Sequence, residues 1–125
     1  PIKSSAASDV YKRQFVDGAL REELYSNACL FVLPSDLEGM PLCLLEAMSY
    51  GNCVITSDIE ECTNVIHDNG ISFRKSDVDD LAQKLTYALS HPNTVRMFKW
   101  LAAEYVCTRF PWERIVEETL DLYQK

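Results

Sequence analysis

The sequence is poor in basic residues. Twelve Lys and Arg stand against nineteen Asp and Glu, which gives a formal net charge of −7. Nucleic acids and anionic membranes are bound through basic patches, so this balance argues against either as the main partner. It leaves open a small anionic ligand, because backbone amides and a few cations are enough to hold one.

Patterns for metal binding and membrane insertion are also missing. His67 and His91 have no acidic or cysteine partner at ligand spacing, so we predict no metal site. The five cysteines form no C-x-x-C pair. Three of them (Cys29, Cys43, Cys53) lie in apolar runs, which predicts buried thiols in a reducing compartment. No apolar run approaches the roughly 20 residues of a membrane span.

Residues 1–14, PIKSSAASDVYKRQ, show neither helical nor strand periodicity. They resemble the translated adapter-like ends of fragments assembled from sequencing reads. We therefore expect residues 1–14 to be a non-native or disordered segment, and residues 15–125 to form one partial domain.

The rest of the chain alternates short apolar strands with amphipathic helices. We predict a strand tail at Phe15-Val16 and a turn at Asp17-Gly18, and the strands Ala28–Leu33, Cys53–Thr56 and Ile71–Phe73. The predicted helices are Leu20–Asn27, Pro41–Tyr50, a turn of helix at Cys62–Ile66, Asp77–Ser90 and two more after Pro92 and Pro111. We expect Val78, Leu81, Leu85, Ala88 and Leu89 to face inward. Such alternation predicts an α/β domain with a parallel sheet flanked by helices.

The stretch Leu33–Gly51 is the best candidate for a site. It leads from a strand end through a loop into a helix, and ligands of α/β sheets bind at such places. Gly39 would allow a ligand to approach the backbone, and free amides from about Leu42 onward would suit a phosphate. Glu38 and Glu46 could accept hydrogen bonds from sugar hydroxyls. Their spacing alone is weak support, because two surface glutamates are common in an acidic protein.

The surrounding residues strengthen this interpretation. The run LYSNACLFVLPSDLEGMPLCLLEAMSYGNCVITSD, residues 24–58, contains the pattern PS-x-x-EG-x-x-L-x-x-LEAM-x-x-G. It resembles the E-x7-E element of the retaining GT-B glycosyltransferases of family 4, the group 1 glycosyl transferases. VIHDNGISF and the terminal WERIVEETLDLYQK resemble later parts of the same family. The resemblance extends from Phe15 to Lys125.

The resemblance implies a Rossmann-like C-terminal half of a GT-B fold and a role for each matching residue. Glu38 would be the catalytic-site carboxylate beside the donor sugar. Gly39, Met40 and Leu42 would hold sugar hydroxyls and the diphosphate, and Glu46 would bind the ribose. The substrate would be a nucleotide-sugar, UDP- or GDP-linked, with neither a cofactor nor a metal. The acceptor would be a glycan or a lipid-linked sugar.

The sequence departs from the family pattern in one important respect. The Arg and Lys that the family places on the diphosphate come from a segment upstream of Phe15, as does the acceptor-binding domain. We therefore expect this chain alone to be inactive, and the parent protein to be cytoplasmic, at the inner face of the membrane if it associates peripherally.

Two alternatives stay open from the sequence. One is a non-catalytic nucleotide-binding or regulatory α/β domain such as a receiver, for which Asp36 and Asp58 end strands but the other required residues are missing. The other is a different GT-B enzyme, an epimerase or a phosphorylase.

Overall fold

The computed structural model describes residues 15–124, so the expectation for residues 1–14 lies outside the described part. Six helices and three strands alternate along the chain. They are α1 (Gly18–Asn27), β1 (Phe31–Leu33), α2 (Leu42–Ser49), β2 (Val54–Ser57), α3 (Glu60–Ile66), β3 (Ile71–Phe73), α4 (Val78–Ser90), α5 (Pro92–Arg109) and α6 (Trp112–Tyr123).

The three strands form one parallel sheet in the order β1-β2-β3. Val32 pairs with Ile55 and Thr56 with Ser72, so the strands end at the same edge. Parallel neighbours need crossover connections, and α2 and α3 provide them. The predicted α/β class with a parallel sheet flanked by helices is confirmed.

The core lies on both faces of the central strand. All four residues of β2 are buried, and successive side chains of a strand point to opposite faces. Val54 belongs to a cluster with Leu44 and Met48 of α2, whereas Ile55 belongs to a second cluster with Phe73 and Ala88. The continuous apolar run is thus explained by burial on both sides.

Helix α2 ends in a Schellman motif. Gly51 takes a φ of 72°, and its N–H donates to the Met48 carbonyl at 2.9 Å. The Asn52 N–H donates to the Ala47 carbonyl at 3.1 Å. Glycine suits the left-handed position, as the sequence predicted. At the other end Pro41 is the N-cap residue rather than the first helical residue, so the prediction there was wrong by one position.

Several predicted boundaries need correction. Residues 15 and 16 are not in a strand, and Gly18 begins α1 with a φ of 55° instead of forming a separate turn. β1 is three residues long, not six, because α1 runs to Asn27 and the parallel pairing with β2 begins at Phe31. β2 is shifted by one residue, to Val54–Ser57, because Cys53 has its carbonyl bonded to the Phe31 N–H ahead of the ladder.

Some side chains predicted to be buried lie at the surface. Val78 is 79% exposed and Leu89 is 68% exposed, whereas Leu81, Leu85 and Ala88 pack inward. Cys29 is also exposed, unlike Cys53. The apolar stripe of α6 contains no buried residue. Its Trp112, Ile115, Val116, Leu120 and Tyr123 are all exposed.

Candidate functional site

The candidate site is the loop from Pro34 to Pro41, which leaves the carboxyl end of β1. Two hydroxyl groups at the end of β2 hold its beginning. Thr56 Oγ1 donates to the Leu33 carbonyl at 3.2 Å, and Ser57 Oγ donates to the Ser35 carbonyl. Both donors are fully buried. The start of the loop is therefore fixed to the centre of the sheet.

Glu38 is held by a side chain of the same loop. Ser35 Oγ donates to Glu38 Oε1 at 2.5 Å. A hydrogen bond to an ionised carboxylate is short and about twice as strong as one between neutral groups. The bond fixes the direction of the carboxylate, which is partly exposed, and it leaves the other oxygen open to a ligand.

Two lateral hydrogen bonds connect the loops at this edge of the sheet. Ser76 Oγ donates to Asp36 Oδ1 at 2.7 Å, which joins the loops after β1 and β3. The Lys75 N–H donates to Asp58 Oδ1 at 2.8 Å, which joins the loops after β2 and β3. The sequence analysis considered Asp36 and Asp58 only as phosphoacceptors. No local pattern indicates partners that are 40 and 17 residues away.

The next residues of the loop are open to solvent. Met40 and Leu42 are 52% and 66% exposed, and a Cβ added to Gly39 would meet nothing within 4 Å. The Leu42 N–H, however, donates to the Met40 carbonyl at 2.8 Å. The expectation of a free amide at Leu42 was therefore wrong for this conformation. The next amide, that of Cys43, has no backbone acceptor in the described part of the chain.

Glu46 lies on the face of α2 that meets α1. Its Oε1 is 3.2 Å from Arg21 Nε, with the two side chains 33% and 48% exposed respectively. The pKa of the Tyr25 hydroxyl is raised, first by burial of the ring and then by the negative charge of Glu46. Tyr25 also stacks on Tyr50 with ring centroids 5.4 Å apart. The sequence analysis missed Arg21, although its spacing of four from Tyr25 places both on one helix face.

The two glutamates act on one common neighbour. The pKa of the Cys43 thiol is raised, first by burial, then by the charge of Glu38 and more weakly by that of Glu46. Cys43 belongs to the first turn of α2. The structure therefore brings the two predicted carboxylates to the same end of this helix, one on each side of Cys43.

An apolar cleft of about 760 Å³ lies beside the site, between α2 and the α5–α6 corner. Met40, Leu42 and Glu46 line it, whereas Glu38 and Gly39 do not. The opposite wall is formed mainly by apolar side chains, among them Val106, Phe110, Pro111, Trp112 and Ile115. A diphosphate or a sugar needs convergent polar groups, so the cleft itself does not have the lining of a donor pocket.

Two further searches covered the described residues. Within 15–124, no three His, Cys, Asp or Glu side chains lie close enough together to hold a metal ion. None of the helices described is both long enough and apolar enough to cross a membrane.

Comparisons with known proteins identify the family. The family model described as glycosyl transferases group 1 matches residues 3–91, which begins inside the segment 1–14. The alpha-maltose-1-phosphate synthase of Mycobacterium tuberculosis is 34% identical over 117 residues, which cover 86% of this chain and 30% of that protein. An N,N'-diacetylbacillosaminyl-diphospho-undecaprenol alpha-1,3-N-acetylgalactosaminyltransferase of Campylobacter jejuni is 36% identical over 69 residues, which cover 54% of this chain and 18% of that protein.

A solved structure agrees with these matches. The sucrose-phosphate synthase of Thermosynechococcus elongatus superposes with a TM-score of 0.73 at 29% identity, over 80% of this chain and 26% of that one. The chain belongs to the group 1 glycosyl transferases. It spans less than a third of the length of the curated relatives it matches, and its α/β sheet corresponds to part of a Rossmann-like domain of the GT-B type.

Proposed function

We propose that this chain is part of an enzyme that transfers a sugar from a nucleotide-diphosphate donor to a glycan or lipid-linked acceptor, with retention of configuration. Membership of the group 1 family supports transfer of a sugar. The diphospho-undecaprenol named for one relative supports a lipid-linked acceptor and a role in cell-envelope polysaccharide synthesis. Such an acceptor would bring the parent protein from the cytoplasm to the inner face of the membrane.

The observation that carries the proposal is the arrangement of the two glutamates at one end of α2. Glu38 is oriented by Ser35 at the mouth of the loop, and Glu46 keeps one carboxylate oxygen beyond its contact with Arg21. Carboxylates that are fixed and partly exposed suit pairs of hydroxyl groups. In this assignment Glu46 binds the ribose, and Glu38 binds the donor sugar next to the reacting carbon.

The remaining parts of the donor follow from the same placement. The backbone at Gly39 and Met40 is open enough for close contact with sugar hydroxyls or a phosphate. Leu42 would contribute its amide only if its bond to the Met40 carbonyl opened when the ligand binds. The donor would be a UDP- or GDP-sugar bound without a metal or other cofactor.

We further propose that the chain alone does not transfer sugar. A developing diphosphate leaving group needs cations to stabilise it. In the described part of the chain, Arg21 is the cation in contact with a site residue, and it is paired with Glu46. The missing charges and the acceptor site would come from the rest of the parent protein. Sugar transfer by the isolated chain at a normal rate would contradict this.

The site assignment is tested by donor binding to the full-length protein. Calorimetry with UDP-glucose and GDP-mannose would compare wild type with Glu38→Ala and Glu46→Ala. We expect each substitution to weaken binding at least tenfold, about 1.4 kcal/mol. Glu118→Ala is the matched control, because Glu118 also pairs with an arginine, Arg114 at 2.8 Å, but lies in α6.

Arg21→Ala separates a ligand role of Glu46 from a structural one. If Glu46 serves only to join α1 to α2, removing either partner of the pair should have the same effect on binding. If Glu46 contacts the ribose, Glu46→Ala should weaken binding several-fold more than Arg21→Ala does. Equal effects, or no effect of Glu38→Ala and Glu46→Ala, would contradict the assignment.

A further inference from the structure

We infer that Ser35 is the positioning residue for Glu38, and that it sets the affinity for the sugar part of the donor rather than for the nucleotide part. The inference rests on the proposed function, because it presupposes that Glu38 faces the donor sugar. Nothing in the E-x7-E spacing itself assigns a role to this serine, which lies three residues before the first glutamate.

The first step of the argument is that Ser35 is itself immobile. Its carbonyl accepts a hydrogen bond from Ser57 Oγ, and Ser57 is 1% exposed at the end of the central strand. The preceding carbonyl, that of Leu33, is held in the same way by Thr56. A side chain attached to this backbone has a fixed origin, whereas the residues beyond it are exposed.

The second step is that the hydroxyl transfers this position to the carboxylate. Ser35 Oγ donates to Glu38 Oε1, so a continuous path of hydrogen bonds leads from Ser57 through Ser35 to Glu38. A free glutamate would sample several rotamers and would lose that freedom on binding. Fixing it beforehand reduces the entropic cost of binding, and this benefit applies only to the group that Glu38 contacts.

The third step is that the test substitution is specific. Ser35→Ala removes the hydroxyl but keeps the carbonyl that Ser57 binds, so the start of the loop stays attached. Ser35→Thr keeps a hydroxyl and should restore most of the effect. Asp36→Ala is the control for general loosening, because it removes the other attachment of the loop, the bond from Ser76, and leaves Ser35 and Glu38 intact.

The experiment measures dissociation constants of the full-length protein for UDP-glucose against UDP, and for GDP-mannose against GDP. For Ser35→Ala we expect the affinity for the nucleotide-sugar to fall about fivefold to tenfold, the usual range for losing one hydrogen bond to a charged group. The affinity for the nucleoside diphosphate should change less than twofold. Ser35→Thr should lie within threefold of wild type in both measurements.

Each outcome decides the matter. If both affinities of Ser35→Ala fall equally, if neither falls, or if Asp36→Ala produces the same selective loss, Ser35 is not the positioning residue and the inference is wrong. If wild type binds the nucleotide-sugars and only the sugar-dependent part falls, the inference holds. If wild type binds neither donor nor diphosphate, the proposed function fails first and the role of Ser35 fails with it.

Discussion

Asn52 is the residue whose replacement should damage the fold most for its size. It is 1% exposed, and its Nδ2 donates to the carbonyls of Tyr25 at 2.8 Å and Ala47 at 3.0 Å. These bonds attach the last turn of α1 to the end of α2. In Asn52→Ala the Ala47 carbonyl keeps a donor, the backbone N–H of residue 52, but the Tyr25 carbonyl loses the side-chain donor that holds it.

The magnitude follows from that difference. Losing a neutral hydrogen bond costs about 1 kcal/mol, and leaving a buried carbonyl without a partner adds about 1–2 kcal/mol. We therefore expect the free energy of unfolding to fall by about 2–3 kcal/mol. With a urea m-value of about 1.5–2 kcal/mol/M for a chain of this size, the midpoint should fall by about 1.5 M.

Urea unfolding followed by circular dichroism measures this shift. Asn64→Ala is the matched control, because Asn64 is exposed on α3 and its replacement should change stability by no more than about 0.5 kcal/mol. Asn52→Asp should cost more than Asn52→Ala, since a carboxylate has no donor for either carbonyl. A loss below about 0.5 kcal/mol for Asn52→Ala would refute the reasoning.

Two other substitutions or conditions give clear expectations. Gly39→Ala should leave stability within about 0.5 kcal/mol, since its Cβ meets open space, but should weaken UDP-glucose binding about tenfold. Gly70→Ala should instead destabilise by about 1–3 kcal/mol in urea, since its Cβ would lie 2.8 Å from Val54 Cγ2; the reverse order would contradict both. Burial raises the pKa of the Cys53 thiol to about 11, so its contribution to stability is complete below about pH 9 and is lost as the pH rises towards 11. Alkylation at pH 8, read by mass spectrometry, should label the exposed Cys29 and Cys107 and spare Cys53, and rapid labelling of Cys53 would contradict the burial argument.

The sequence predicted those parts of the fold that depend on short-range patterns. The run CVIT predicted a buried strand, Gly51 predicted the end of α2, and Asp77 predicted the N-cap of α4, where its side chain accepts the Asp80 N–H at 2.9 Å. Val78 and Leu89 were assigned to the core wrongly. Helical spacing places an apolar residue on a face, but it does not say how wide the covered part of that face is.

The site shows the same division between local and distant information. The family resemblance singled out Glu38, Gly39, Met40, Leu42 and Glu46, all within nine residues. Their supporting contacts were not predictable in the same way. Arg21 meets Glu46 only because α1 packs on α2, and Ser57 reaches the loop only because β2 lies next to β1. Such contacts depend on tertiary packing, and no local periodicity encodes them.

The lateral bonds at the edge of the sheet have a consequence for protein engineering. The loop after β1 takes its shape partly from Ser57 and partly from Ser76, which belong to the ends of two other strands. Transplanting residues 34–41 into another parallel sheet would therefore move the glutamate without the groups that orient it. A functional transplant should include the hydroxyl residues at the matching positions of both neighbouring strand ends, so the smallest transferable unit is the sheet edge and not the loop.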